Sequence, residues 1–590
     1  MDEFHPSIRV REVTPFSDGL SPAFSTQTGL LLQRIYRARD INDTQQLALG
    51  LAGLPAPGLL YGIGAAVELL ITALRRDQSI LIVGDFDADG ATSTALAVLA
   101  LRALGCGRVD FLVPNRFAYG YGLTPEIVAL ATQRKPDLII TVDNGISSVA
   151  GVAAAQEVGI RVLITDHHLP GREIPAAAAI VNPNQPECTF PSKNLAGVGV
   201  IFYVLSALRA ALRAQNWFAE RGIDEPNMAV WLDLVALGTV ADMVPLDQVN
   251  RILVHQGLQR IRAGQARPGI CALLELAGRE RERIVASDLG FAVGPRLNAA
   301  GRLEDMAIGI ECLLSDDPFA ARALAVQLDE LNRDRRAIEA TMQHEALQIL
   351  AELDLSDEQL PWGLCLFDGN WHQGVVGLLA SRVKERLHRP VIAFADAGNG
   401  ELKGSARSIS GFHIRDALDA VATRNPGLVS KFGGHAMAAG LSLPRENFAA
   451  FVHAFDDQAR LQLALEDLAV ELVTDGELAS GEITLDCARQ LRDGGPWGQH
   501  FPEPSFHGTF RVLQYKVVGA KHLKLVLTAD DNNAGDSATA PTLDAIAFNV
   551  VDQHWSGHLP ERVKMVYRLD VNFYRGVESL QLMIEHLLLD

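Results

Sequence analysis

The stretch from Ile80 to Thr94, ILIVGDFDADGATST, decides how the rest of the chain is read. Four apolar residues and a glycine make a short buried strand. Three aspartates follow at alternate positions, Asp85, Asp87 and Asp89, with Gly90 directly after. Carboxylates this close repel one another unless a cation lies among them. An EF-hand calcium loop also begins D-x-D-x-D-G, but it needs a bidentate Glu at its twelfth position and a helix in front. Counted from Asp85, the twelfth position is Leu96, and the preceding segment is strand. A solvated turn rich in Asp and Gly stays open at this point.

The segments that follow alternate in type. SILIVGDFD, RVDFLVPN, DLIITVDNG and RVLITDHH are β-rich, and TSTALAVLALRALG and SVAGVAAAQEVG are Ala/Leu-rich and helical. This βαβ alternation predicts an α/β fold with a doubly wound parallel sheet. Ligands of such sheets bind outside the carboxyl ends of the strands. LIITVDNG delivers Asp143 to such an end, and VLITDHH delivers Asp166, His167 and His168. LGTVADMVPL brings Asp242 to the end of a helix or a loop.

Each of these has a plain reading alone. Asp143 before Asn-Gly suits a turn, Asp166 suits a helix N-cap, and either histidine can be a satisfied interior residue. Together they put carboxylates and imidazole on one edge of a sheet, a hard donor set that suits Mn²⁺ or Mg²⁺. The set is large enough for two ions ~3.5–4 Å apart, an arrangement used for phosphoryl transfer to water.

The 590 residues call for several domains, and 48% hydrophobic with 21% charged residues is ordinary globular composition. A net charge of −19 argues against a protein coated in basic charge, though not against a local basic groove. Six scattered cysteines without a C-x-x-C pair give neither a zinc site nor a disulfide framework. No signal peptide, and no uncharged stretch long enough to span a membrane, is evident, so a cytoplasmic location is expected.

Five regions are expected. Residues 1–75 form a helical segment and 76–315 the first α/β lobe, with a Gly/Arg/Asn-rich loop, GPRLNAAGRLED, at 294–305. Residues 316–356 form a long connecting helix, with no Gly or Pro after Pro318. Residues 357–471 form a second α/β lobe ending in KFGGHAMAAG. Residues 472–590 form short alternating strands, GEITLD first, that suggest an OB-like barrel. Arg511, Lys516, Lys521 and Lys524, interleaved with Phe510 and Tyr515, give that barrel a candidate basic stripe.

In this order, D-x-D-x-D-G, V-D-N-G, D-H-H and V-A-D-M-V-P-L resemble the DHH phosphoesterase superfamily. VPNRFAYGYGLT, GPRLNAAGRLED, GVVGLLASRVKER, GSARS and KFGGHAMAAG narrow the resemblance to its bacterial exonucleases of single-stranded DNA, over about residues 40–590. The resemblance implies a DHH catalytic lobe, a DHH-associated lobe and a nucleic-acid-binding barrel. It implies 5′-to-3′ degradation to mononucleotides by two divalent ions, Mn²⁺ or Mg²⁺, in DNA repair and recombination. By position, Asp85, Asp87, Asp89, Asp143, His167 and Asp242 fall on metal-binding positions, with Asp143 bridging. His168 is implied to contact the scissile phosphate and Asp166 to orient its neighbours. Arg116, Ser405 and Arg407 would hold the 5′ phosphate, and Tyr121 would stack on a base. Arg296, Arg302, Arg382, Gly433, Gly434 and His435 are further candidate substrate contacts. Salt bridges are the plain alternative for Arg296 and Arg302, and a solvated helix face for Arg382. Single-strand-binding protein and a helicase are plausible partners. The rival readings are a small-molecule phosphatase of the same superfamily and a non-catalytic DNA-binding scaffold.

Overall fold

The computed structural model describes residues 6–13, 27–114, 122–352, 360–529, 541–551 and 557–588. The chain divides into two compact units. One comprises Val10–Asn332 with Thr474–Asp590, and the other Met1–Arg9 with Arg333–Val473.

The first unit carries a five-stranded, wholly parallel sheet. Its strands are β1 (Ile80–Gly84), β2 (Val109–Leu112), β3 (Leu138–Val142), β4 (Arg161–Thr165) and β5 (Ala179–Val181), in the order β2-β1-β3-β4-β5. Every residue of β1 and β3 is buried, which explains their continuous apolar runs. One face packs on α1 (Ala88–Ala103), α2 (Gly197–Ala214) and α3 (Leu232–Ala241), and the other on the helices Pro125–Thr132 and Val149–Glu157. By length and composition α2 could cross a membrane, but here it is a core helix, buried from Gly197 through Leu205.

The segment 294–305, expected to be a loop, is mostly helix. α4 (Gly294–Leu303) follows directly on a π-helical turn, Leu289–Val293. Tertiary packing overrides its Gly and Asn content. α5 (Pro318–Glu352) is 35 residues long, and the division between the two units falls within it.

The second unit has a five-stranded mixed sheet. Its strands are β6 (Leu364–Phe367), β7 (Val391–Gly398), β8 (Glu401–Arg407), β9 (Lys431–Gly434) and β10 (Ala438–Pro444), in the order β9-β10-β8-β7-β6. Helix α6 (Val376–Leu387) lies against β7 and β8. The opposite face packs on the helices Ile414–Arg424 and Phe448–Gln462.

The segment 506–588 is a closed barrel of β11 (Phe506–Val518), β12 (His522–Ala529), β13 (Leu543–Ala547), β14 (Arg562–Tyr574) and β15 (Val577–Leu588), in the order β11-β12-β13-β15-β14. GEITLD lies before the barrel and is not a strand. It forms a 3₁₀ turn, Ser480–Glu482, and the Thr484 N-cap of the helix Leu485–Asp493. Within the stripe, Phe510 is a barrel-core residue rather than a stacking platform.

Candidate metal centre

The acidic loop turns a strand end into a helix start. β1 stops at Gly84, and Asp87 caps α1 by accepting from the N–H groups of Asp89 (2.9 Å) and Gly90 (3.0 Å). The loop is braced by α4. Asn298 Oδ1 accepts from the Ala88 N–H at 2.8 Å, satisfying one of the amide donors that a helix start leaves open. A Cβ on Gly301 would sit 1.8 Å from the Phe86 carbonyl oxygen, so this contact requires glycine.

Asp89 is held from another side. Its two oxygens accept from the N–H groups of Gly197 (2.6 Å) and Val198 (3.0 Å), the first residues of α2. A helix N-terminus favours negative charge. Gly197 is also where α2 meets Asp143 at the end of β3, since a Cβ there would lie 2.6 Å from that of Asp143. Asp143 adopts a left-handed backbone, φ 62°, which is strained for a non-glycine residue.

β4 delivers the histidines. His167 Nε2 lies 3.1 Å from Asp143 Oδ1 and 3.5 Å from Asp242 Oδ2, and this buried nitrogen has no hydrogen-bond partner. Three overlapping donor groups result: Asp85–Asp87–Asp143, Asp143–His167–His168 and Asp89–His167–Asp242. Asp143 and His167 each belong to two of them. The donor set is of a kind that fits hard divalent cations.

The electrostatics agree. Burial, reinforced by Asp242, pushes the Asp89 carboxyl up to about 7. Burial and Asp87 push Asp242 to about 7, and burial and the surrounding Asp89, Asp87, Asp242 and Asp85 push Asp143 well up. These carboxylates ionise together only if positive charge is supplied. Burial, then His168, push His167 down, which leaves its ring neutral and able to ligate.

Asp166 belongs to none of the three donor groups. It accepts from the N–H groups of His167 (2.7 Å), His168 (3.1 Å) and Ile146 (2.9 Å), and lies 2.7 Å from His168 Nδ1. Burial would raise it, but the His168 hydrogen bond and charge hold it below the usual carboxylate range. Burial would lower His168, but Asp166 raises it to about 9. Asn184 and Asn182 donate to the carbonyls of His167 and His168 at 2.6 and 2.8 Å, fixing the turn.

The candidate substrate residues fare unevenly. Arg116 and Tyr121 lie outside the described residues. Arg296, expected on a phosphate track, is buried and bonds Asp329 through Nε (2.9 Å) and Nη2 (2.8 Å), which ties α4 to α5. Its partner is neither Glu304 nor Asp305, the neighbouring acids that the salt-bridge alternative for Arg296 and Arg302 points to. Arg302 is half-buried on the same helix. Arg382 is exposed and paired with Glu339 (3.0 Å) and Glu385 (3.1 Å). Gly433, Gly434 and His435 do not form an open loop. The glycines are ladder residues of β9, and the His435 N–H closes the hairpin on the Ala438 carbonyl at 2.8 Å. Ser405 and Arg407 stand side by side on β8, with Nη1 donating to Oγ at 3.1 Å. Both face Gly377 in the first turn of α6, where a Cβ would lie 2.8 Å from each.

Three domain models match in the order of the fold: the DHH family N-terminal domain over 79–239, the DHHA1 domain over 362–461 and the RecJ OB domain over 474–586. The single-stranded-DNA-specific exonuclease RecJ of Dickeya dadantii (strain 3937) is 58% identical over 557 residues, covering 94% of this chain and 96% of that one. The protein of the same name from Escherichia coli (strain K12) is 55% identical, covering 94% and 95%. This chain belongs to the RecJ family. RecJ from Thermus thermophilus in complex with Mn²⁺ matches with a TM-score of 0.79 at 29% identity, covering 99% of this chain and 80% of that one. The same RecJ with Mg²⁺ matches with a TM-score of 0.74 at 27% identity, covering 99% and 78%. The donor groups described above are of the kind these two hard ions require.

Proposed function

We propose that this chain is a metal-dependent exonuclease that degrades single-stranded DNA from its 5′ end to mononucleotides, in DNA repair and recombination. The observation that carries this reading is the convergence of seven carboxylate and imidazole side chains, from three strand ends and one helix end, into overlapping groups that share Asp143 and His167. Asp85, Asp87, Asp89, Asp143, His167 and Asp242 hold two Mn²⁺ or Mg²⁺ ions. Bound there, such ions would lower the pKa of a bound water and would stabilise charge on the phosphate oxygens.

The chain's own residues do the rest. Asp166 fixes the His168 ring through Nδ1 and keeps it protonated at neutral pH, so that Nε2–H is offered to the scissile phosphate. The apolar packing of α1, α2 and α3 fixes the geometry of the carboxylates. Ser405, Arg407 and the N-terminus of α6 bind the terminal phosphate, which sets the 5′ polarity. Arg116 joins that anchor and Tyr121 stacks on a base. The barrel holds the strand beyond the site. In the cytoplasm, single-strand-binding protein and a helicase are the partners such an enzyme meets on its substrate.

A small-molecule phosphatase of the same superfamily has no use for the RecJ-type barrel at 474–586. Comparing hydrolysis of a long 5′-phosphorylated single strand with that of short dinucleotides separates the two. The nuclease reading requires strong preference for the strand, and equal or better hydrolysis of dinucleotides would refute it.

A further inference from the structure

The segment that leads into the barrel, GGPWGQHF at 494–501, packs on more than the barrel. Phe501 belongs to the hydrophobic core of the metal-binding lobe, and Trp497 packs against both that core and the barrel's. The backbone folds back on itself between Gly498 and Phe501, whose N–H and carbonyl groups pair at 2.9 and 3.1 Å. The rings of Trp497 and Phe501 stack with centroids 5.0 Å apart. Tyr36, from the helix Gln27–Arg37, stacks on both at 5.9 and 6.3 Å. Arg251 sets its guanidinium 4.4 Å over Phe501. Ring stacking and a cation over a ring hold this turn in one place.

What the turn touches is the loop that follows a candidate metal ligand. Asp242 ends α3, and Leu246 in the same loop donates its N–H to the Gln499 carbonyl at 2.8 Å. The Leu246 side chain is buried against Gly498, where a Cβ would lie 2.7 Å from its Cδ1. Between Asp242 and Leu246, Met243 adopts a left-handed backbone, φ 61°. A non-glycine residue keeps such a conformation only where its surroundings impose it. α3 holds one end of the loop, through the Asp242 N–H and the Gly238 carbonyl at 2.9 Å. The turn holds the other. Fastening the barrel to the lobe would need only the stacked rings. It would not need glycine beneath Leu246.

We infer that the Gly498–Phe501 turn is a positioning element for Asp242. By fixing Leu246 it fixes the strained Met243, and with it the direction in which Asp242 presents its carboxylate to His167 and Asp89. Of the three donor groups, Asp89–His167–Asp242 alone contains Asp242, whereas Asp85–Asp87–Asp143 is built from the ends of β1 and β3. The turn therefore supports one ion and not the other. The inference rests on the reading of Asp242 as a ligand of one of two ions.

Mn²⁺ titration of the full chain without DNA, with the free ion read by electron paramagnetic resonance, tests it. Gly498→Ala drives a methyl group into Leu246. It should leave one ion bound as in the parent and weaken the other about tenfold, as for outer supports of metal ligands. In steady-state kinetics kcat should fall, while KM for a 5′-phosphorylated strand stays unchanged. Adding Leu246→Val, which lacks Cδ1, should restore both readouts. Parent-like binding of both ions by Gly498→Ala, equal weakening of both, or no recovery in the double variant overturns the positioning role. If Gly498→Ala fails to fold, Leu246→Ala empties the same contact and is read by the same selective loss, and parent-like binding of both ions then overturns the role. The count in the parent reads the two-ion assignment separately. A parent that binds a single Mn²⁺ refutes that assignment, and the positioning role then stands or falls on whether Gly498→Ala weakens that ion.

Discussion

The two α/β lobes place charge in opposite ways. The first unit gathers acids at its parallel strand ends and at the end of α3, mostly buried, with Asp89, Asp143 and Asp242 pushed well above the usual carboxylate range. The mixed sheet of the second unit spreads Lys403, Arg407 and Lys431 over a partly open face, where charge costs little. A buried cluster is tense until a cation joins it, whereas an exposed one is stable and waits for a polyanion. Changes in the first lobe should therefore act on metal-dependent chemistry and on stability, and changes in the second on affinity.

The sharpest way to break this contrast is Asp143→Ala. Hydrolysis should fall by at least about 10³-fold, as expected when several kcal/mol of transition-state stabilisation are lost. Melting of the chelated variant should be no lower than that of the parent, because a buried carboxylate at odds with its neighbours has been removed. A nuclease assay beside a thermal melt checks both. In the second lobe, Arg407→Gln should raise KM for 5′-phosphorylated strands about 10- to 100-fold, corresponding to about 1.5–3 kcal/mol for a charge-assisted bond. Steady-state kinetics on phosphorylated and hydroxyl ends should show the loss only for the former.

Smaller effects follow at the brace. Asn298→Ala leaves the first amide of α1 without its partner and frees the acidic loop. Mn²⁺ affinity should drop about tenfold, as for outer supports of metal ligands, with the fold intact by circular dichroism. The smallest effect is thermal. In the chelated protein Asp89 and Asp242 keep their protons to about 7, whereas the unfolded chain loses them near 3.8. The folded state then binds more protons across that window, so stability falls as pH rises from about 4 to about 7. Mn²⁺ should raise the melting temperature more at about pH 8 than at about pH 5, by several degrees. Scanning fluorimetry with and without chelator measures the difference.

The convergence of the acidic and histidine side chains was legible because period and position carry the information. An apolar run ending in Asp marks a buried parallel strand, and such ends meet on one edge of a sheet. What was not legible depends on contacts far apart in sequence. Nothing in GPRLNAAGRLED shows that Asn298 reaches Ala88, that Gly301 touches Phe86, or that Arg296 finds its partner at Asp329. Its glycines suggested an open loop, but they are there for close approach. Gly197 is similar, since its role appears only once Asp143 is seen beside it.

The most direct test of the central claim is a polarity assay on single- and double-stranded DNA labelled at either end, with Mn²⁺, Mg²⁺ or chelator. The two-ion site and terminal anchor predict mononucleotide release from the 5′ end of single strands with either ion. They predict no release from duplex and none with chelator. Cleavage that persists in chelator, or that starts at the 3′ end, would contradict the account.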